Sequence, residues 1–149
     1  MRRGLAGVLL AVLLAGCGGG GGGDRLSADQ YRTQASRICN DSRRQTAALG
    51  QPKTTAQFKT FLVRGVAVTE RNLTRFARLK PPADLQDKHD GIVAGERRGL
   101  AQLRRLSAQL HGDSRDVAVL KRAKPALDQL SAQADARYRA AGLDACAQP

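Results

Sequence analysis

Apolar residues recur every three or four positions along most of the chain from residue 27 onward. This spacing is typical of amphipathic α-helices, because it places the apolar side chains on one face. Four such stripes are separated by short stretches that contain Gly or Pro, and no stretch alternates in the manner of a strand. Four amphipathic helices with short connections predict an all-α, antiparallel four-helix bundle over residues 27–149.

The first two helices carry clear start and stop signals. Ser27 and Thr54 are each followed by a Gln three residues later, which is the pattern of a capping box at a helix N-terminus. The first helix is expected to end at Gly50, because Gly readily closes a helix C-terminus. The second is expected to end near Lys80, because Pro81 disfavours helical backbone in the residue before it.

The third and fourth helices are delimited in the same way. The third helix follows Pro81 and Pro82. It is expected to end at residues 111–112, where Gly follows His. The fourth is expected to open at Asp113 and to end at Gly142 in a Schellman motif. Pro125 lies inside it and predicts a kink or a break, because proline removes a helical hydrogen bond and clashes with the preceding turn.

The N-terminus has the three parts of an export signal. Arg2 and Arg3 precede an apolar run from Leu5 to Ala15, and Cys17 follows the sequence Leu-Ala-Gly. The run is too short to span a bilayer, which takes about 20 residues. The pattern predicts a lipoprotein signal peptide over residues 1–16 that is removed, leaving Cys17 as a diacylglyceryl-modified N-terminus. The alternative is an ordinary secretory peptide with a chance Cys after it.

Residues 17–26 then predict a lipidated Cys followed by a Gly-rich tether. Gly18 to Gly23 form an uninterrupted glycine run, and six glycines span only about 14 Å on average as a flexible coil. Two acyl chains are enough for stable attachment to a membrane. The chain is therefore expected on the extracytoplasmic face of the cell membrane, with its helical domain close to the lipid headgroups.

Composition narrows the interpretation of the mature chain. The formal charge is +12, and it falls to +10 when Arg2 and Arg3 leave with the signal peptide. The chain has no Trp, three Phe and two Tyr, so its core is expected to be mainly aliphatic. The 133 residues from 17 to 149 suffice for one domain with a core of its own.

With Cys17 assigned to lipid, Cys39 and Cys146 remain. An even number of cysteines in an exported chain favours one disulfide, the alternative being two separate buried thiols. A disulfide requires Cα atoms within about 7 Å. An unbroken helix over residues 114–141 would descend about 42 Å and finish far below Cys39. We therefore expect residues 114–124 to cross the top of the bundle, with a bend or a break at Pro125.

Three internal segments and the lipobox carry a family resemblance. The segments are Tyr31-Arg-Thr-Gln-Ala-Ser-Arg-Ile-Cys39, Leu79-Lys-Pro-Pro-Ala-Asp84 and Ala141-Gly-Leu-Asp-Ala-Cys146, to which Cys17 is added. Together they resemble a group of small actinobacterial lipoproteins with a two-cysteine helical domain. The resemblance spans nearly the whole mature chain. It implies a lipid-anchored helical domain and carries over no catalytic residue.

No residue pattern indicates catalysis or a cofactor. There is no Gly-x-Ser-x-Gly nucleophile motif and no His-x-x-x-His pair. His89 is expected to be a half-buried histidine at the rim of the core rather than a metal ligand. Glu96 lies within an apolar stripe, and because a lone buried carboxylate is costly, it is expected to be paired or at an edge. The chain is accordingly predicted to be a binding protein without a cofactor or a metal.

Basic residues recur on the helix faces. The candidate anion-binding residues lie on the second and third helices and are Arg71, Arg75, Arg78, Arg97, Arg98, Arg104 and Arg105. A strongly positive surface attracts anionic partners through its long-range field. Outside a membrane these would be acidic headgroups, anionic envelope polymers or a partner protein, whereas export and the lack of interleaved aromatics argue against nucleic acid. The alternative is a solvated basic face without a partner.

A second hypothesis is a carrier of a small apolar ligand inside the bundle. The small residues Ala47, Ala67, Gly95 and Gly99 would leave room between the helices. A contiguous basic surface would favour the binding module, and an apolar cavity would favour the carrier.

Overall fold

In a computed structural model that describes residues 25–147, the chain is an all-α bundle of four helices. The helices are α1 (Ala28–Ala47), α2 (Thr55–Ala77), α3 (Gln86–Gln109) and α4 (Asp116–Ala140). A short 3-10 turn (Ala83–Leu85) precedes α3, and a second one (Asp144–Cys146), here called the C-terminal turn, follows α4. The predicted fold class is confirmed. The predicted signal peptide, lipidated Cys17 and glycine run lie outside the described residues.

The capping residues at the starts of α1 and α2 are those the sequence predicts. The Ser27 hydroxyl accepts from the Gln30 backbone N–H at 3.2 Å, and the Ser27 N–H donates back to the Gln30 side chain at 2.9 Å. The Thr54 hydroxyl accepts from the Gln57 N–H at 3.2 Å, but the Gln57 side chain accepts from the Lys53 N–H at 2.8 Å, so the predicted capping box is complete at α1 only. Each hydroxyl satisfies a backbone donor that a helix N-terminus leaves without an internal partner.

The corner between α3 and α4 differs from the prediction. α4 begins after Arg115, without a side-chain cap, and Asp113 instead accepts from the Arg115 backbone. The buried carboxylate of Asp116 accepts from the backbone N–H groups of His111 at 2.9 Å and Gly112 at 2.7 Å. These bonds lower the pKa of Asp116. Asp116, which stands in the first turn of α4, thus also holds the loop that precedes the helix.

The end of α4 is the predicted Schellman motif. The Leu143 N–H donates to the Tyr138 carbonyl and the Gly142 N–H to the Arg139 carbonyl, both at 2.9 Å. Gly142 has a φ of 69°, in the left-handed region that glycine tolerates best. The motif turns the chain back, and Leu143 enters the core with 1% of its surface exposed.

Pro125 does not divide α4 into two helices. The helix continues as one element from Asp116 to Ala140, so a break and a separate segment crossing the top of the bundle are not observed. Pro125 and Lys121, the residue whose carbonyl loses its helical donor, are both exposed. Water can therefore satisfy that carbonyl, and the proline costs less than it would on a buried face.

The helices pack in chain order, with α1 on α2, α2 on α3 and α3 on α4, while the C-terminal turn contacts both α1 and α4. Arg25 and Leu26 contact Pro81 and Lys80, which defines the proximal end of the bundle. The opposite, distal end is where Thr55 meets Gly112. The proximal core contains Tyr31, Phe76, Ile92 and Leu143, and the distal core contains Leu62, Val66, Leu100, Leu106 and Leu110.

The disulfide joins Cys39 of α1 to Cys146 of the C-terminal turn. The sulfurs are 2.08 Å apart and the Cα atoms 5.2 Å apart, so the predicted pairing is confirmed. The route to it is different from the one expected, since the Schellman motif turns the chain back towards α1 after an unbroken α4. The disulfide therefore closes the bundle between the first and last helices.

Candidate functional site

A cavity opens between α1 and α4, where the helices are joined through the C-terminal turn instead of packing along their lengths. Its volume is about 480 Å³, and all four helices contribute to its wall. This size lies within the usual range for small-molecule sites. The apolar part of the wall includes Leu73, Phe76, Leu100, Leu103, Leu127 and Leu130. We call this cavity the groove.

Small residues on α3 help to form the groove. Gly95 and Gly99 line it, and a Cβ atom built on Gly99 would meet no atom within 4 Å. The Arg137 guanidinium lies directly against Gly95. The other two small residues expected to leave room, Ala47 and Ala67, are exposed and do not line the groove. Sequence reasoning therefore identified the glycines correctly and the alanines wrongly.

Glu96 and Tyr138 belong to the polar part of the wall. The Tyr138 hydroxyl hydrogen-bonds to the Glu96 carboxylate, as expected for a carboxylate within an apolar stripe. Burial raises the pKa of Glu96, and the Tyr138 hydroxyl and Arg137 only partly oppose this. Burial and the neighbouring Glu96 also raise the pKa of Tyr138. The groove therefore contains a carboxylate that is poorly solvated when ionised.

His89 lies in the proximal core, and the prediction of a half-buried rim position was wrong. Only 3% of its surface is exposed, and its ring stacks on Phe76 with centroids 5.2 Å apart. The Tyr31 hydroxyl lies 3.1 Å from Nδ1, and the Ala77 backbone provides a second partner. Burial lowers the pKa of His89, although Asp90 and the Ala77 carbonyl act against it. A neutral imidazole with both nitrogens occupied is a structural element of the core.

All seven candidate arginines are exposed, but they differ in whether they form ion pairs. Arg75 faces α1 and pairs with Asp41 at 3.0 Å, and Arg104 pairs across the α2–α3 seam with Glu70 at 2.5 Å. Helical spacing places the remaining five on the outer surface formed by α2 and α3. Within residues 25–147 no ion pair involves these five, which are Arg71, Arg78, Arg97, Arg98 and Arg105.

The positive charge is concentrated in the distal half of the bundle, which sequence reasoning did not reveal. The proximal half (25–37, 67–97 and 128–147) has eleven basic and nine acidic side chains, an excess of two. The distal half (38–66 and 98–127) has twelve basic and three acidic side chains, an excess of nine. The twelve are Arg43, Arg44, Lys53, Lys59, Arg64, Arg98, Arg104, Arg105, Arg115, Lys121, Arg122 and Lys124. Antiparallel packing unites segments that are far apart in the chain.

Comparisons with protein-family models, curated protein sequences and solved structures find no significant match for this chain. Between residues 25 and 147, no group of three or more His, Cys, Asp or Glu side chains is arranged to hold a metal ion. None of the helices in that range combines the length and the apolar character needed to cross a membrane. The groove and the basic distal half are the features on which a function can be argued.

Proposed function

We propose that this protein is a lipid-anchored, extracytoplasmic binding module that holds an anionic polymer of the cell envelope on the distal half of its bundle. The observation that carries the proposal is the distal excess of nine positive charges, against two in the proximal half. Such a field concentrates polyanions and accelerates their association. It is contributed by all four helices, so a flexible polymer can follow it around the end of the bundle.

The chain between the predicted lipid and the bundle is short. Its length favours an envelope polymer as the ligand, rather than the lipid headgroups of the anchoring membrane. The eight residue-to-residue steps from Cys17 to Arg25 span at most about 28 Å when fully extended. The 24 residues of α3 are about 36 Å long. A lipid on Cys17 therefore keeps the proximal end nearer to the membrane. When the bundle axis points away from the membrane, the distal end lies several screening lengths from the headgroups, since the Debye length is about 8 Å at physiological ionic strength.

The composition of the distal half favours repeated anionic groups over an apolar protein partner. Eight of its twelve basic residues are Arg, whose planar guanidinium matches phosphate and carboxylate oxygens in pairs. Protein interfaces instead centre on clustered, desolvated anchors. The large apolar side chains exposed in the described residues are Val63 and Val117, which lie on different helices. Single exposed apolar residues are normal on a protein surface.

The test measures binding of poly(glycerol phosphate) to the full chain in neutral phosphatidylcholine nanodiscs, at increasing salt. One variant removes three distal charges, with Arg98, Arg105 and Arg122 replaced by Gln. A matched variant removes three proximal charges by replacing Arg37, Arg78 and Lys88 with Gln; all six side chains are exposed. The distal variant should bind about tenfold more weakly, at roughly 0.5 kcal/mol per exposed charge contact.

The proximal variant should retain most of the affinity, and wild-type binding should weaken steadily as salt rises. Equal losses in the two variants would mean that only total charge matters and would contradict a distal site. Binding that is absent at low salt, or insensitive to salt, would contradict the proposed function itself.

A further inference from the structure

The groove has a wall that suits an apolar chain. Leucines from both α3 and α4 line it, and a Cβ atom on Gly99 would meet no atom within 4 Å beyond its own helical backbone and chain neighbours. Lining atoms that border unfilled space forgo dispersion contacts, and an apolar occupant would supply them. The groove lies between α1 and α4, so it is separate from the outer α2–α3 surface that carries five of the unpaired arginines.

The polar groups of the groove include two carboxylates, although the chain as a whole is strongly basic. Glu96 and Asp135 line the groove together with Arg43, and the Arg137 guanidinium lies beside the wall, against Gly95, in a chain of formal charge +12. Tyr138 occupies only part of the hydrogen-bonding capacity of Glu96, because a carboxylate has about four acceptor positions. Glu96 therefore retains acceptor positions for a bound donor.

The distances along the helices separate this polar region from the apolar one. Leu103 lies seven residues beyond Glu96 on α3, which corresponds to about 10 Å. Leu127 precedes Tyr138 by eleven residues on α4, or about 16 Å towards the distal end. A ligand of matching shape has a compact polar head at Glu96 and an apolar chain that extends towards the distal end.

We propose that the groove binds an amphiphile with a primary ammonium head, which donates to the Glu96 carboxylate while its alkyl chain lies against Leu103, Leu127 and Leu130. An ammonium group offers three donors and a charge opposite to that of the carboxylate. An anionic head would face two acidic side chains, and an uncharged chain without a head would leave Glu96 without a new partner. Charge-assisted hydrogen bonds are the stronger kind, which gives the head its selectivity.

The test uses decylamine bearing a diazirine in its chain, with the matching decanol as a neutral probe. The full chain in phosphatidylcholine nanodiscs is irradiated with either probe, and the labelled peptides are mapped. Glu96→Gln keeps the shape of the side chain and removes its charge. Gly99→Leu places a side chain in the groove. Gly91→Leu is the matched control, because Gly91 lies on the same helix, is exposed and also has no atom within 4 Å of a built Cβ.

We expect saturable labelling of the wall around Leu103, Leu127 and Leu130 by the amine. Glu96→Gln should reduce apparent affinity for the amine about tenfold while leaving the alcohol unchanged. Gly99→Leu should abolish labelling of the wall and Gly91→Leu should preserve it, with circular dichroism confirming the helical fold of each variant. Both leucine variants gain helix propensity equally, so a difference between them reports the groove.

Equal labelling by the amine and the alcohol, unchanged by Glu96→Gln, would overturn the assignment of an ammonium head. Labelling that survives Gly99→Leu, or that never maps to the groove, would overturn the site. Neither result bears on polymer binding by the distal half, which the charge-removal variants test separately.

Discussion

Loss of the Cys39–Cys146 bond should lower the free energy of unfolding by about 4.8 kcal/mol. The two cysteines are 107 residues apart, and the chain-entropy model gives about 4.8 kcal/mol at 25 °C for a loop of this length. Small domains are stable by only about 5–15 kcal/mol in total. The bond therefore supplies a large part of the stability of a bundle whose first and last helices are joined through the C-terminal turn.

The perturbation is Cys146→Ser, measured by urea unfolding and by calorimetry of the full chain in detergent. With an unfolding entropy of about 2.1 cal/mol/K per residue, a bundle of this size should lose roughly 15–20 °C in Tm. Cys39→Ser should lower Tm by the same amount. The double variant should be no less stable than either single variant, because all three variants lack the same disulfide. Cys17→Ser is the control, since this cysteine lies outside the pair, and it should leave Tm unchanged.

A loss below about 2 kcal/mol would refute the reasoning, because it would fall beneath the usual contribution of a native disulfide. A large effect of Cys17→Ser on stability would contradict the pairing itself. Reduction of the wild type should reproduce the variants and provides an independent check.

Three further predictions follow from individual residues. Because burial lowers the pKa of His89, the unfolded chain takes up a proton before the folded chain as pH falls below about 6.5. The free energy of unfolding should therefore fall by up to 1.4 kcal/mol per pH unit. Denaturation of wild type and His89→Phe across this range isolates the effect, and an equal dependence of stability on pH in the two proteins would refute it. Because burial raises the pKa of Glu96, stability should fall as pH rises from about 4.5 through the folded pKa. Glu96→Gln should therefore raise the unfolding free energy at pH 7, and a loss there would contradict the direction. Cys17→Ala should abolish labelling by a fatty-acid analogue in cells, and persistent labelling would place the lipid elsewhere.

Local signals made much of the fold predictable. Ser27, Thr54 and Gly142 act at helix ends through bonds that span only a few residues, so their sequence context is sufficient to recognise them. The cysteine pairing was predicted from the even number of remaining cysteines and from the expectation of export. The effect of Pro125 was harder to predict. The free energy that a proline costs a helix depends here on whether the carbonyl of Lys121 faces water or the core, and only the packed bundle determines this.

The candidate sites depend on tertiary packing and were only partly foreseeable. His89 was misjudged because its burial is set by Tyr31 and Phe76, which belong to other helices. The pairing of Glu96 was expected, but its partner Tyr138 lies 42 positions away on α4. The distal charge excess likewise arises when antiparallel helices bring separate basic segments to one end of the bundle.

A lysine footprint tests the central proposal, that an anionic polymer binds the distal half, most directly. The six lysines of the chain divide between the ends: Lys53, Lys59, Lys121 and Lys124 are distal, and Lys80 and Lys88 are proximal. The full chain in neutral nanodiscs is acetylated with and without poly(glycerol phosphate), and the ratio of modification is measured at each lysine. The proposal predicts protection of the distal four at unchanged reactivity of the proximal two. Uniform protection, or protection confined to Lys80 and Lys88, would contradict it.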